Sequence, residues 1–392
     1  MNAPVVELRS GSVGESASQW DYAKSAAQGW IICDAFTGVA TFNDANGAQR
    51  TFPDPLTALS WMEAFPLGKE PASRWIGFLS YDLGRWFESL PSMAVDDLRL
   101  PLFAFSYHRP TGQSPAYPEH QTATRPLTST LTRRAFMSAV RRTIDYIQSG
   151  DVFQVNLSHR MSLGNSAQPK EIWERALSKA PEHFAAFLDY GDFALISLSP
   201  ELFLQVNGRE VITRPIKGTR PLGPGMQTDL LHSTKDKAEL NMIVDLERND
   251  LGRVCEIGSV KVIQPRTIET HRTVYHGVAT IAATLRQEIT FTDLLRAMFP
   301  GGSITGAPKI RAMQIIEELE PVRRGPYCGA IGYLAADGSM QFNVAIRTMI
   351  LKDGLVHVPV GGGIVADSDP ADEYEETLVK AKAMFDALGV EL

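Results

Sequence analysis

The stretch GAIGYLAADGSMQFNVAIRTMILKDGLVHVPV, residues 329–360, carries the fold class. Its apolar residues fall in three short runs, cut by Asp337-Gly338 and Asp353-Gly354. Asp-Gly between apolar runs marks a hairpin, because both residues tolerate the positive φ of a tight turn. The stretch predicts three consecutive strands in an antiparallel meander. Upstream, residues 193–216 read as a further hairpin with Asn207-Gly208 as its two-residue turn, and residues 152–157 as a strand. Phe136, Val140, Ile144 and Ile147 recur at helical spacing, and Gly150 supplies a stop. Residues 235–250 and the stretch from Pro370 to Ala387 also read as helices. Strands that follow one another, with helices set apart, indicate α+β layers rather than strict βαβ alternation.

With 392 residues, 44% hydrophobic and 21% charged, the chain has globular composition, and its length predicts two lobes or one large layered body. Residues 103–130, rich in Pro, Ser, Thr and Gln, read as a connection between an N-terminal region (1–125) and a main body (126–392). A net charge of −7 without a Lys/Arg block argues against nucleic acid or an anionic membrane as partner. No apolar run is long enough to span a bilayer, and the first residues lack the basic and apolar regions of a signal peptide. Cys33, Cys255 and Cys328 are far apart, so neither a zinc site nor a disulfide framework is expected, and a reducing cytoplasm fits.

Several residues are candidates for chemistry. Lys217 lies in Arg-Pro-Ile-Lys-Gly-Thr-Arg-Pro (214–221). A lysine in an apolar pocket loses its proton and becomes a nucleophile; a solvated surface lysine is the plain alternative. Glu373, Glu376 and Lys380 share one face of the last helix, and Glu239 lies on another helix. Carboxylates from separate helices can hold Mg²⁺, although solvated surface acids would look the same. Pro-Gly-Gly-Ser-Ile-Thr-Gly-Ala-Pro-Lys (300–309) is a glycine-rich loop feeding a helix, with Pro308 in the first turn. It reads as an anion-binding terminus or as a tight connection. Glu201 among apolar neighbours suits proton transfer. His276 is a general acid/base or a hydrogen-bonded core histidine. Arg347 reads as a strand residue that clamps a carboxylate or packs in an ion pair. Gly361-Gly362-Gly363 allows close approach of a ligand to the backbone, or forms a turn.

Six longer stretches then carry a resemblance. They are Ser-Pro-Glu-Leu-Phe (199–203), Pro-Ile-Lys-Gly-Thr-Arg-Pro (215–221), Glu-Leu-Asn-Met-Ile-Val-Asp-Leu-Glu-Arg-Asn-Asp-Leu-Gly-Arg-Val (239–254), Gly-Gly-Ser-Ile-Thr-Gly-Ala-Pro-Lys-Ile-Arg-Ala-Met (301–313), Arg-Arg-Gly-Pro-Tyr-Cys-Gly-Ala-Ile-Gly-Tyr (323–333) and Gly-Gly-Gly-Ile-Val-Ala-Asp-Ser-Asp-Pro-Ala-Asp-Glu-Tyr-Glu-Glu-Thr (361–377). In this order they resemble the chorismate-utilising enzyme family. The region before residue 130 matches more loosely, through Ile-Gly-Phe-Leu-Ser-Tyr-Asp-Leu-Gly (76–84).

The resemblance implies a large layered β-sandwich flanked by helices, with chorismate as substrate and Mg²⁺ as cofactor. It implies ammonia as the incoming group, because members that add water carry a lysine where this chain has Gln154. It also implies amination at ring carbon C4, because the anthranilate branch has alanine where this chain has Lys217. The expected product is 4-amino-4-deoxychorismate, for p-aminobenzoate and folate or for related antibiotic pathways. By resemblance, Lys217 is the nucleophile, Glu201 the acid/base, and His276 a third catalytic group. Gln154, Gly218, Thr219, Ser303, Thr305, Tyr327, Arg347, Gly361, Gly363 and Lys380 bind substrate, and Glu239, Glu373 and Glu376 hold the metal. No Cys-His-Glu glutaminase region is present, so ammonia is expected from solution or from a separate glutamine amidotransferase subunit. An anthranilate or 2-amino-2-deoxyisochorismate synthase large subunit, or a non-catalytic paralogue that docks an amidotransferase, are the other readings.

Overall fold

The computed structural model describes residues 3–10, 20–22, 25–67, 73–109, 116–179, 182–271 and 274–391. Among these, an eight-stranded and a twelve-stranded sheet form the framework. The smaller sheet runs in the order Val5–Arg9, Phe184–Asp189, Phe193–Ser199, Thr348–Lys352, Leu355–Ile364, Gln154–Gly164 and Gly306–Ala307, with Thr128–Ser129 also on Gln154–Gly164. The larger runs Ile216–Pro221, Val274–Thr284, Glu210–Arg214, Leu202–Asn207, Met340–Val344, Ala330–Ala335, Arg74–Leu79, Phe103–His108, Ala27–Cys33, Ala40–Asp44 and Gln49–Phe52. Lys261–Thr270 joins it on Val274–Thr284.

The two sheets pack face to face. One apolar cluster joins Val6, Leu8, Leu188, Leu195 and Ile350 of the smaller sheet to Ile76, Phe78, Ala104, Ile331 and Tyr333 of the larger. Buried polar groups tie the layers together: Asn343 Nδ2 donates to the Phe184 carbonyl at 2.9 Å, and Tyr190 Oη to the Ala104 carbonyl at 2.9 Å. Helices cover both outer faces. Pro55–Ala64, Thr234–Gly252 and Phe291–Met298 pack on the larger sheet, and Pro169–Lys179 and Pro370–Leu388 on the smaller. The chain is thus an α+β sandwich of two sheets between helices. No described helix is long and apolar enough to cross a membrane.

The helix expectations match the elements. Arg133–Gln148 is capped by Thr132, whose hydroxyl accepts from Ala135 N, and Gly150 lies beyond it at φ 82. Pro370–Leu388 is capped by Asp369, which accepts from Ala371 N and Asp372 N, and ends at Gly389 with φ 74.

The strand expectations need correcting. Residues 329–360 hold four strands rather than three, because the middle run breaks at Ala345-Ile346-Arg347. Met340–Val344 belongs to the larger sheet and Thr348–Lys352 to the smaller, so the chain changes layers there. Arg347 therefore sits in a crossing, with φ 49, and not in a strand. The same holds for residues 193–216: Phe193–Ser199 lies in the smaller sheet, and only Leu202–Asn207 and Glu210–Arg214 form the hairpin. Asn207 pairs with Glu210, so the turn is Gly208-Arg209. The connection expected over residues 103–130 begins with a strand, Phe103–His108, whose residues are all buried. Buried on both faces, it lacks the alternation that marks a half-exposed strand. Residues 110–115 of that connection lie outside the described residues. Strands from residues 1–125 enter both sheets: Val5–Arg9 pairs with Phe184–Asp189, and Arg74–Leu79 with Ala330–Ala335.

Candidate active site

The two layer crossings meet. Glu201 follows Phe193–Ser199 as the chain enters Leu202–Asn207, and Arg347 follows Met340–Val344. Val344 N donates to the Glu201 carbonyl at 3.0 Å, Leu198 N to the Arg347 carbonyl at 3.0 Å, and Ser199 Oγ to the Val344 carbonyl at 2.6 Å. These bonds hold Glu201 and Arg347 side by side where the chain passes between the sheets.

Lys217 reaches the same place from a bulge. Ile216 pairs with Val278 and Thr219 with His276, so one extra residue is inserted at Lys217-Gly218. A bulge re-aims the side chain it carries. Gly218 has φ 83, and a Cβ there would stand 2.8 Å from Asp236 Cγ, which leaves no room for a larger residue. Lys217 Nζ donates to the Ser303 carbonyl at 3.2 Å. Burial lowers its proton affinity below that of an ordinary lysine, against the pull of Glu239, Glu201 and Glu376 and with the help of Lys380.

Gln154 and Gly363 close the site from the smaller sheet. A Cβ at Gly363 would lie 2.0 Å from Gln154 Nε2 and 3.5 Å from Lys217 Nζ, so this glycine leaves room for all three groups to converge. Gly361, Gly362 and Gly363 belong to the strand Leu355–Ile364 and not to a turn. Gln154 is 1% exposed, and its Oε1 has no protein partner. Such an acceptor suits a small N–H donor.

Glu201 is 4% exposed. Burial raises its proton affinity, partly offset by the Ser303 hydroxyl and Lys217. A carboxyl so placed keeps its proton to higher pH than an ordinary glutamate, as a general acid requires. Burial first, then the Arg347 charge, holds His276 well below the usual histidine range, so its ring is neutral. Arg347 Nη2 faces its Nε2 at 3.5 Å, which makes Nε2 the lone-pair atom. Nδ1 then carries the proton, 2.9 Å from Thr219 Oγ1. Arg347 is also paired with Glu182 at 2.6 Å, a contact that sequence reasoning missed because Glu182 sits in no recognisable motif.

On the open side stand the helix carboxylates. Glu376 pairs with Lys380 at 2.7 Å, and that cation lowers its proton affinity. Lys380 Nζ also donates to the Gly361 carbonyl at 3.0 Å. Glu373 accepts from Ser368 Oγ at 2.6 Å; burial chiefly, and Glu376 as well, raise its proton affinity. Glu239 is raised by burial and by Asp236 and Glu376, against Lys217 and Lys235. Among the described residues no three His, Cys, Asp or Glu groups are already drawn around one point as a metal centre. The donors are nonetheless all carboxylate oxygens, the type a hard divalent cation takes.

Two further predicted residues have contacts within the chain. Thr305 Oγ1 donates to the Gly301 carbonyl at 2.8 Å and so closes its own loop. Tyr327 is buried in the apolar core beside Arg324 and Glu320.

The sequence profile of the chorismate binding enzymes matches residues 20–386. The chain belongs to the chorismate binding enzyme family. Within it, the chain is 42% identical over 350 residues to aminodeoxychorismate synthase component 1 of Escherichia coli strain K12, covering 80% of this chain and 76% of that protein. It is 39% identical over 389 residues to anthranilate synthase component 1 of Thermus thermophilus, covering 88% and 84%. The crystal structure of anthranilate synthase component I from Streptococcus pneumoniae TIGR4 superposes with a TM-score of 0.81 at 30% identity, covering 97% of this chain and 92% of that one. Within the family fold, Glu201, Lys217, His276 and Arg347 converge from two crossings, a bulge and the neighbouring strand.

Proposed function

We propose that this chorismate-binding chain aminates chorismate at C4 to give 4-amino-4-deoxychorismate, with ammonia supplied by a separate glutamine amidotransferase subunit or by solution. The observation that carries this reading is Lys217, bulged out of its strand with lowered proton affinity, beside Gln154 and facing the buried acid Glu201.

The chemistry balances in two halves. The neutral Lys217 amine forms a bond to C2, the two conjugated ring double bonds each shift by one position, and the C4–O bond breaks as Glu201 gives its proton to the departing hydroxyl, which leaves as water. Ammonia then forms a bond to C4, both double bonds shift back, the C2–N bond to Lys217 breaks, and Glu201 recovers a proton from the new amine. Covalent catalysis divides one difficult displacement into two easier ones. Arg347 and Lys380 are the cations for the substrate's carboxylates, and Gln154 Oε1 accepts from the incoming ammonia.

Chorismate is a dianion, and the open side of the site holds Glu239, Glu373 and Glu376 against Lys217 and Lys380. A bound Mg²⁺ would supply positive charge for a substrate carboxylate there. Glu239, Glu373 and Glu376 would hold it through their carboxylate oxygens, the donor type a hard divalent cation takes.

The test is product analysis with chorismate, Mg²⁺ and ammonium. A 4-amino product supports the reading. A 2-amino product would favour the anthranilate-type alternative, which the Thermus relative keeps in view. Amidotransferase binding without chorismate loss would favour a docking role.

A further inference from the structure

Glu247 is a buried carboxyl that the proposed mechanism leaves unused. It lies on Thr234–Gly252, about two turns beyond Glu239, and is 5% exposed. One of its oxygens accepts the Thr213 hydroxyl at 3.0 Å. Its side chain rests against Gly302, where a Cβ would stand 3.7 Å from Glu247 Cγ. Glu201 precedes Leu202, which pairs with Arg214, the residue after Thr213. Thr213 thus holds Glu247 against the strand that pairs beside Glu201, and the charge of Glu201 raises the proton affinity of Glu247. On the remaining side Lys309 pairs with Asp250 at 2.6 Å and donates to the Met298 carbonyl at 2.9 Å, so this cation is already taken. Glu201, Asp250 and Lys309 are the charged groups that act on Glu247.

We propose that Glu247, buried behind Glu201 and held by the Thr213 hydroxyl, is a positioning residue for proton transfer that governs how readily Glu201 takes on negative charge between the two halves of the reaction. The inference rests on the function proposed above. Glu201 must exist as an anion after it protonates the departing hydroxyl, and a second anion beside it in a buried site would oppose that step. Burial and Glu201 push the Glu247 carboxyl up to about 8, so it is neutral at pH 7. Above that value it ionises, Glu201 grips its proton more tightly, and hydroxyl departure slows.

The experiment is the pH profile of chorismate turnover at fixed free-ammonia concentration, for the wild type, Glu247→Gln and Thr213→Val. Glutamine keeps the shape and stays neutral at every pH. Valine removes a hydroxyl that favours the Glu247 anion, and it serves if the glutamine variant does not fold. The wild-type rate should decline above pH 8 or so, Glu247→Gln should move that alkaline limb up by about one pH unit or more, and Thr213→Val should move it the same way by less. A purely structural role would change stability without moving the limb. An alkaline limb unmoved in both variants, with turnover retained, overturns the role of Glu247 and leaves the proposed function intact. A wild-type chain that consumes no chorismate overturns both.

Discussion

At the scale of the residue, the account turns on Lys217. Lys217→Ala should lower 4-amination by about a thousandfold or more, because the attacking amine is gone. Thermal unfolding of the variant should hold or improve, because a desolvated ammonium is removed. Chromatography of the products and a melting curve check both. The pH dependence has a defined sign. The proton affinity of Lys217 is lower in the folded chain than in the unfolded chain. The cost of burying its ammonium is therefore full below the folded value and fades as pH rises to the unfolded value, so stability rises with pH across that window. The rate of ring attack rises through the folded value as the neutral amine forms, and rapid-mixing measurements of chorismate consumption should show that ascending limb. Lys217, Glu201 and His276 were legible in the sequence because each stands in a short local motif. The setting of Arg347 was not: residues 343–348 read as one strand, and a change of layer leaves little trace in a run of apolar residues that stays buried on both sides of the break. Glu182 was silent for a related reason, since its partner Arg347 is 165 residues away.

At the scale of the element, the strand Leu355–Ile364 and the helix Pro370–Leu388 together form one wall of the site. A methyl group at Gly363 would press on Gln154 Nε2, 2.0 Å from its Cβ position. Gly363→Ala should therefore cost about 1–3 kcal/mol in stability and displace Gln154 or Lys217, with a larger loss in kcat than in KM. Urea unfolding and steady-state kinetics measure the two effects. On the helix, Glu376→Gln removes one carboxylate from the proposed Mg²⁺ group. The Mg²⁺ concentration for half-maximal rate should rise about tenfold or more, while the helix, capped by Asp369 and Gly389, stays folded by circular dichroism. The shared face of Glu373, Glu376 and Lys380 followed from helical spacing alone. The place of the three glycines inside a strand did not, because glycine reads locally as a turn.

At the scale of the whole molecule, the site exists because two sheets are held face to face and the chain crosses between them. Asn343 spans the gap: its Nδ2 donates to Phe184 O at 2.9 Å, and its Oδ1 accepts from Ile331 N at 3.0 Å. Asn343→Leu leaves both backbone groups unpaired in a dry interior and should destabilise the chain by about 2–4 kcal/mol in denaturant titration. Layer composition was legible from the succession of strands and helices. Which strand joins which sheet was not, because pairing is decided by contacts far apart in sequence, such as Val5–Arg9 with Phe184–Asp189. The proposal that this fold performs covalent amination stands on Lys217, and one measurement reaches it most directly. Intact-protein mass spectrometry after mixing with chorismate and Mg²⁺, without ammonia, should show a species heavier by chorismate less one water, mapped by peptide analysis to Lys217 and absent from Lys217→Ala. Full 4-amination by a wild-type chain that never shows this species, together with an active Lys217→Ala, would contradict the account.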